Sequence, residues 1–188
     1  MDLFEFITVM ISVILALATG QLFVGMARLV QSPAKVRLST IHSLWVANLF
    51  LLTFLHWWSL WDFRELSWTF PSFFFSLIGP SLMFFATTLI NPRGSSEDDI
   101  DLGEYFTSIR RPFLLVVAVM MVFFTLDGPL FGTEAPFNRL RLAQLLIVGS
   151  AIFGVFSARA GSQVVVAILT FASLGLGMTT RFFPGFVS

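Results

Sequence analysis

His42 and His56 are the only histidines in the chain, and histidine is the side chain that most readily binds metal or exchanges a proton near neutral pH. They stand 14 residues apart in one apolar run. On a helix that spacing leaves them on roughly one face but separates their backbones by about 21 Å, at about 1.5 Å per residue. One ion or haem iron therefore cannot take both. The ligation chemistry left open is a haem shared between two copies of His56, in a pocket lined by neighbouring tryptophans. Beside it stands the plainer role of a histidine that bonds an adjacent helix or reaches the membrane surface.

A second set of residues could carry a solute. Glu5, Thr8, Ser12 and Thr19 fall at offsets of 3, 7 and 14, along one helical stripe. Such a stripe either lines a wet path or bonds neighbouring helices. Gly79-Pro80 interrupts another apolar run and frees a carbonyl that needs a new partner. The strings SLIGPSLMFFATTLINP and SLGLGMTTRFFPG share a Ser-Leu start, a glycine break, a Thr-Thr pair (Thr87-Thr88 and Thr179-Thr180) and a closing proline. Read as the third helices of two inverted halves, they make Gly79, Pro80, Thr87 and Thr179 transport-path candidates. Ser150, Gly154 and Ala158, with Ser173 and Gly177, repeat small residues four apart and predict tight helix packing.

Enzyme signatures are missing. The chain has no P-loop, no GxGxxG, no GxSxG elbow and no HExxH, so no catalytic residue is assigned. The acidic run from Glu97 to Asp101 has a faint look of a calcium loop. Counted from Asp99, however, the twelfth position is Arg110, where a bidentate glutamate is needed. No metal site is expected. Cysteine is absent, which excludes disulfides and thiolate ligands. Eleven basic residues balance 11 acidic ones, so nothing in the charge invites nucleic acid.

The elements that must position these residues follow from composition. Of 188 residues, 56% are hydrophobic and only 12% charged, and 24 are phenylalanine. Soluble domains carry roughly a quarter charged residues, so lipid is the expected solvent. The fold class is all-α, a polytopic transmembrane helix bundle in a single integral membrane domain spanning 1–188. A crossing needs about 20 apolar residues, and six runs qualify: about 4–29, 40–61, 70–90, 113–131, 140–158 and 162–183. MDLFEF carries Asp2 and Glu5 where a signal peptide wants basic residues, so the first run reads as a retained membrane helix. Residues 91–111 read as an acidic loop followed by an interfacial segment, YFTSIRR. Trp57, Trp58, Trp61 and Trp68 bracket the loop after the second run and read as interfacial anchors.

The strings LFEFITVMISVILAL, HWWSLWDFRELSWTFP and DLGEYFTSIRRPF resemble an uncharacterised bacterial family of small multi-pass membrane proteins. That resemblance implies six spans and a bacterial inner-membrane location, and brings no activity, ligand or catalytic residue. The favoured function is a non-enzymatic membrane protein acting by helix–helix association, with itself or with another membrane protein in the lipid bilayer. A small channel or transporter, with its path along the first helix and the Gly-Pro break of the third, is the alternative. A haem-binding redox protein using His56 is the second alternative; otherwise no cofactor is expected. Seven Lys and Arg residues (Arg28, Lys35, Arg37, Arg93, Arg110, Arg111 and Arg159) face one side, against Arg64, Arg139, Arg141 and Arg181 on the other. By the positive-inside rule the seven are cytoplasmic and both termini periplasmic. A cysteine placed at Ser96 should therefore resist a membrane-impermeant thiol reagent added to intact cells. Labelling there from outside would invert the topology.

Overall fold

The structure is a computed structural model, and it describes residues 3–31, 36–92, 99–132 and 138–182. Six helices carry the fold: α1 (Leu3–Gln31), α2 (Thr40–Ser59), α3 (Phe70–Ile90), α4 (Leu102–Phe131), α5 (Arg139–Phe156) and α6 (Ala160–Phe182). All six are long and apolar enough to cross a membrane. Their outward faces remain apolar too: Phe23, Leu146 and Phe156 are 56%, 62% and 82% exposed. Water would not tolerate that surface over a whole bundle, whereas lipid solvates it. The chain is an all-α membrane bundle.

Local chemistry marks the helix ends. Thr69 and Ser72 form a reciprocal capping box at the start of α3, with Pro71 in the first turn. The Asp101 carboxylate accepts from the Gly103 and Glu104 N–H groups and starts α4. Those N–H groups, Glu104's first and then Gly103's, with Arg37 adding a smaller effect, hold the Asp101 carboxyl below the usual carboxylate range. Asn138 caps α5 through the Arg141 N–H. Gly132, at φ 68°, ends α4 in the left-handed conformation that glycine adopts without strain.

Several boundaries differ from expectation. The segment 102–111 forms the first turns of a 30-residue α4 that continues through Pro112. Phe106, Arg110 and Phe113 turn into the bundle there, and that packing outweighs the single helical bond that Pro112 cannot make. Within the acidic loop, residues 93–98 lie outside the described residues. Helix α5 stops at Phe156, so Ala158 is an exposed residue of the connection and not part of a packing ridge.

The helices form a closed ring in the order α1, α3, α4, α5, α6, α2, with α2 also leaning inward on α3 and α4. The first three helices are joined mainly through α1 on α3, whereas the last three are joined through α5, set between α4 and α6. The two halves are thus not arranged alike. At the end where α1 finishes, Val36–Arg37 (β1) pairs in parallel with Ile100–Asp101 (β2). Arg37 and Asp101 meet there at 3.2 Å, a mostly exposed pair of small energetic weight. The last carbonyls of α3 are claimed from outside: His42 Nε2 lies 2.9 Å from Ile90 O, and the Tyr105 hydroxyl reaches Leu89 O and Asn91 O at 2.7 Å.

Two glycines are required by close approach. A Cβ at Gly25 would strike the Asn91 side chain, which donates to Gln21 O at 2.6 Å. A Cβ at Gly79 would strike the Phe124 ring. Because α3 and α4 touch there without space to give, Gly79→Ala should cost about 1–3 kcal/mol by overpacking. A lowered melting temperature in detergent checks this, and an unchanged one would mean that the ring yields freely.

Candidate functional site

Helices α2, α4, α5 and α6 surround a cavity of about 90 Å³ at the end of the bundle where α2 finishes. A water needs about 10–15 Å³ on this measure, so the space holds several. Its polar lining comes from all four helices: His56 and Ser59, Asp127, Arg141 and Gln144, and Ser173. Gly128 and Gly177 also line it, and their lack of side chains leaves the space open.

Arg141 organises the wall between α4 and α5. It is the third residue of α5, where the helix dipole disfavours a cation, yet it is only 3% exposed. Its Nη1 donates to Phe124 O at 3.0 Å and to Gln144 Oε1 at 2.9 Å. Gln144 Nε2 donates in turn to Phe124 O at 3.3 Å. Pro129 lies just beyond in α4 and cannot donate to the Thr125 carbonyl four residues back, which loosens this part of the helix ladder. The α4 carbonyl next to that gap is the one the two α5 side chains take.

The same residue holds α2. The His56 ring stacks on the Phe124 ring with centroids 4.2 Å apart and planes at 21°. His56 is 8% exposed and turned inward. The stack gives His56 a packing role within its own chain, which weighs against a haem shared between two copies. What the cavity combines is a fixed cation (Arg141), a carboxylate (Asp127) and an imidazole (His56), near the ends of their helices and in contact with space for water. Groups of this kind can bind a small polar solute or take up and release a proton. Among the described residues no group of three or more His, Asp or Glu side chains is placed to hold a metal.

The other candidates are placed elsewhere. Glu5 is exposed at the start of α1, and Thr8 is half-buried beside it. Ser12 accepts from Trp57 Nε1 at 3.0 Å, and Thr19 bonds back to Leu15 O. Pro80 is buried next to Gly79, Thr87 is sealed and bonded to Phe84 O, and Thr179 is exposed and bonded to Leu176 O. None of these lines the cavity. The small residues serve the inside of the chain: a Cβ at Gly154 would press on Leu114 and Val166, and one at Gly177 on Leu140. Ser150 bonds to Ile147 O, and Ser173 opens into the cavity and so does more than pack. Trp57, Trp58 and Trp61 are all more than half exposed, with Arg64 over the Trp61 ring at 5.4 Å. Trp68 instead packs against Phe63 and Phe131.

Arg141 and Gln144 are the residues that sequence reading passes over. Arg141 resembles a loop cation because it closely follows Asn138 and Arg139. The usable signal is a cation followed three residues later by a glutamine at the start of an apolar run, where a helix would otherwise avoid positive charge. No family model, curated protein or solved structure matches the chain.

The chain has no cysteine, so single introduced thiols report access cleanly. Ser173→Cys should react with a small hydrophilic thiol reagent, while Thr87→Cys, fully buried in α3, should not. Equal inertness of the two would close the cavity to solution.

Proposed function

We propose that the protein is a small, non-enzymatic channel or transporter whose working site is the cavity between α2, α4, α5 and α6. The observation that supports this reading is Arg141, a buried arginine facing a cavity with room for several waters beside His56 and Asp127. Ionisable groups inside a membrane are costly, and those that face water-filled space commonly serve a solute or ion path. The path favoured on sequence, along α1 and the Gly-Pro break of α3, gives way to one through the other side of the ring.

The location proposed is a bacterial inner membrane with periplasmic termini. It rests on the family resemblance and on the Lys and Arg asymmetry. Arg110 and Arg141 are both buried and leave the loop count, so the remaining balance is six against three, which keeps the same sign. Helix association, as a homo-oligomer or as an accessory subunit, is the second reading. The broad exposed apolar faces of α1 and α5, with Phe6, Val13, Phe23, Leu142 and Phe153, are the surfaces it would use.

Reconstitution into liposomes separates the two. Passive fluxes of protons, sodium, potassium and chloride are measured with and without protein. At least one flux should depend on the protein and fall at least about tenfold in Arg141→Met, while the lipid-facing Leu146→Ala leaves it unchanged. No protein-dependent flux for any of the four would remove the transport reading and leave association.

A further inference from the structure

Arg110 is the other buried arginine of the bundle. It is 7% exposed, and its Nε is buried without a hydrogen-bond partner. Among the described residues no carboxylate pairs with it. Asp101 is taken up by Arg37 and by the α4 cap, and Glu104 is exposed on another face of α4. A buried charge ordinarily has a counter-charge, so this position calls for an anion.

The neighbours of Arg110 on α4 fix its place. Phe113, three residues on, packs against Trp45 of α2 with ring centroids 5.0 Å apart. Leu114, four residues on, lies where a Cβ at Gly154 of α5 would meet it, and Val166 of α6 borders the same spot. Arg110 therefore sits one turn nearer the start of α4, between α2 and the α5–α6 turn. Long helical side chains lean toward their own N-terminus, which directs this guanidinium to the end where α4 begins. Helices α2 and α6 begin at the same end. The strand before α2 pairs with the strand before α4, and Asn48 Nδ2 donates to Ala167 O about two turns into α2 and α6.

Three helix starts thus converge around a buried cation. Ser39 stands at the N-cap of α2 but makes no side-chain cap bond, and neither α2 nor α6 has an acidic residue in its first turn. The positive ends of both helix dipoles are left without a matching side-chain charge. Ser39 Oγ lies 3.6 Å from where a Cβ at Gly103 would stand, and Arg110 continues that stripe of α4 two turns on. Arg111 and Arg159 are exposed at the rim. Helix α4 outruns a hydrocarbon core roughly 30 Å thick by about 15 Å, and Arg110 is about 12 Å from its start. An arginine at that depth reaches the headgroups.

We infer that this corner binds one phosphate group. The Arg110 guanidinium takes two of its oxygens, and the Ser39 hydroxyl and the first-turn N–H groups of α2 and α6 face the others. A planar guanidinium matches two phosphate oxygens, and helix N-termini add donors of the same sign. Depth favours the phosphodiester of an anionic phospholipid over free phosphate. The site uses neither the cavity nor Arg141, so it stands apart from the transport reading.

The test offers the purified chain, in neutral detergent, phosphatidylglycerol, phosphatidylcholine or inorganic phosphate. Melting temperature and the lipid retained in native mass spectra are read. The native chain should keep one phosphatidylglycerol and melt higher with it than with phosphatidylcholine. Arg110→Gln should bind it at least about tenfold more weakly, while Arg64→Gln, beyond the other end of α2, binds as the native chain does. Ser162→Cys keeps Arg110 and places a thiol in the first turn of α6, four residues before Val166. Phosphatidylglycerol should slow its reaction with an uncharged hydrophilic thiol reagent, and phosphatidylcholine should not. Ser108→Cys, exposed on the far side of α4, should react alike with either lipid. Effects of phosphatidylglycerol alone mark a lipid site, and effects of inorganic phosphate that Arg110→Gln removes mark a free-phosphate site; both support the phosphate. Equal binding to the native chain and to a folded Arg110→Gln would overturn it. So would Ser162→Cys labelling that neither phosphatidylglycerol nor inorganic phosphate slows.

Discussion

A guanidinium cannot be left bare inside a membrane, and the way Arg141 is accommodated decides how most of the bundle meets. Its charge is tied to the Phe124 carbonyl, with Gln144 completing the contact from the same helix. The Phe124 ring carries the His56 stack from α2 and also lies against the bare backbone at Gly79 of α3. One residue of α4 therefore joins α2, α3 and α5, through its carbonyl on one side and its ring on the other. Lipid cannot hydrogen-bond a stray donor, so the polar contact is obligatory, and the apolar contacts must fit around it.

The ring of helices divides into unequal parts. Helices α1 and α3 meet through apolar residues, with one polar tie where Asn91 donates to Gln21 O, and with hydroxyls turned back on their own carbonyls, as at Thr19 and Thr87. Helices α2, α4, α5 and α6 hold most of the buried polar side chains. Asn48, His56, Arg141, Gln163, Thr170 and Ser173 all belong to them. Close helix approach at Gly154 and Gly177 draws α4, α5 and α6 together around this polar side.

What sequence reading recovers and what it misses have separate physical causes. The six crossings are legible because bilayer thickness imposes a long apolar run on each helix, and that requirement is local. The beginning of α4 is not legible, because Arg110, Arg111 and Pro112 look like an exit from lipid. What makes them helical is burial of Phe106, Arg110 and Phe113 against other helices, which no local average contains. Arg141 is misread for the same reason, since its acceptor lies 17 residues back on another helix. The Thr-Thr strings of α3 and α6 share residue types, yet Thr87 is buried in α3 whereas Thr179 is exposed near the end of α6. His56 stands between these cases: its residue type flags it, but only the fold says that it faces Phe124 and a cavity.

Helix α4 is 30 residues long, which is about 45 Å at about 1.5 Å per residue, while the hydrocarbon core is roughly 30 Å. Ordinary tilts of about 20° absorb little of that difference. Roughly ten residues must therefore stand clear of the lipid tails, and the stretch that does so begins at the Asp101 cap. Tyr105 and the β1–β2 pairing fasten the neighbouring loops to that projecting post. The clamp thus ties the start of α2, through Arg37 and β1, to the head of α4.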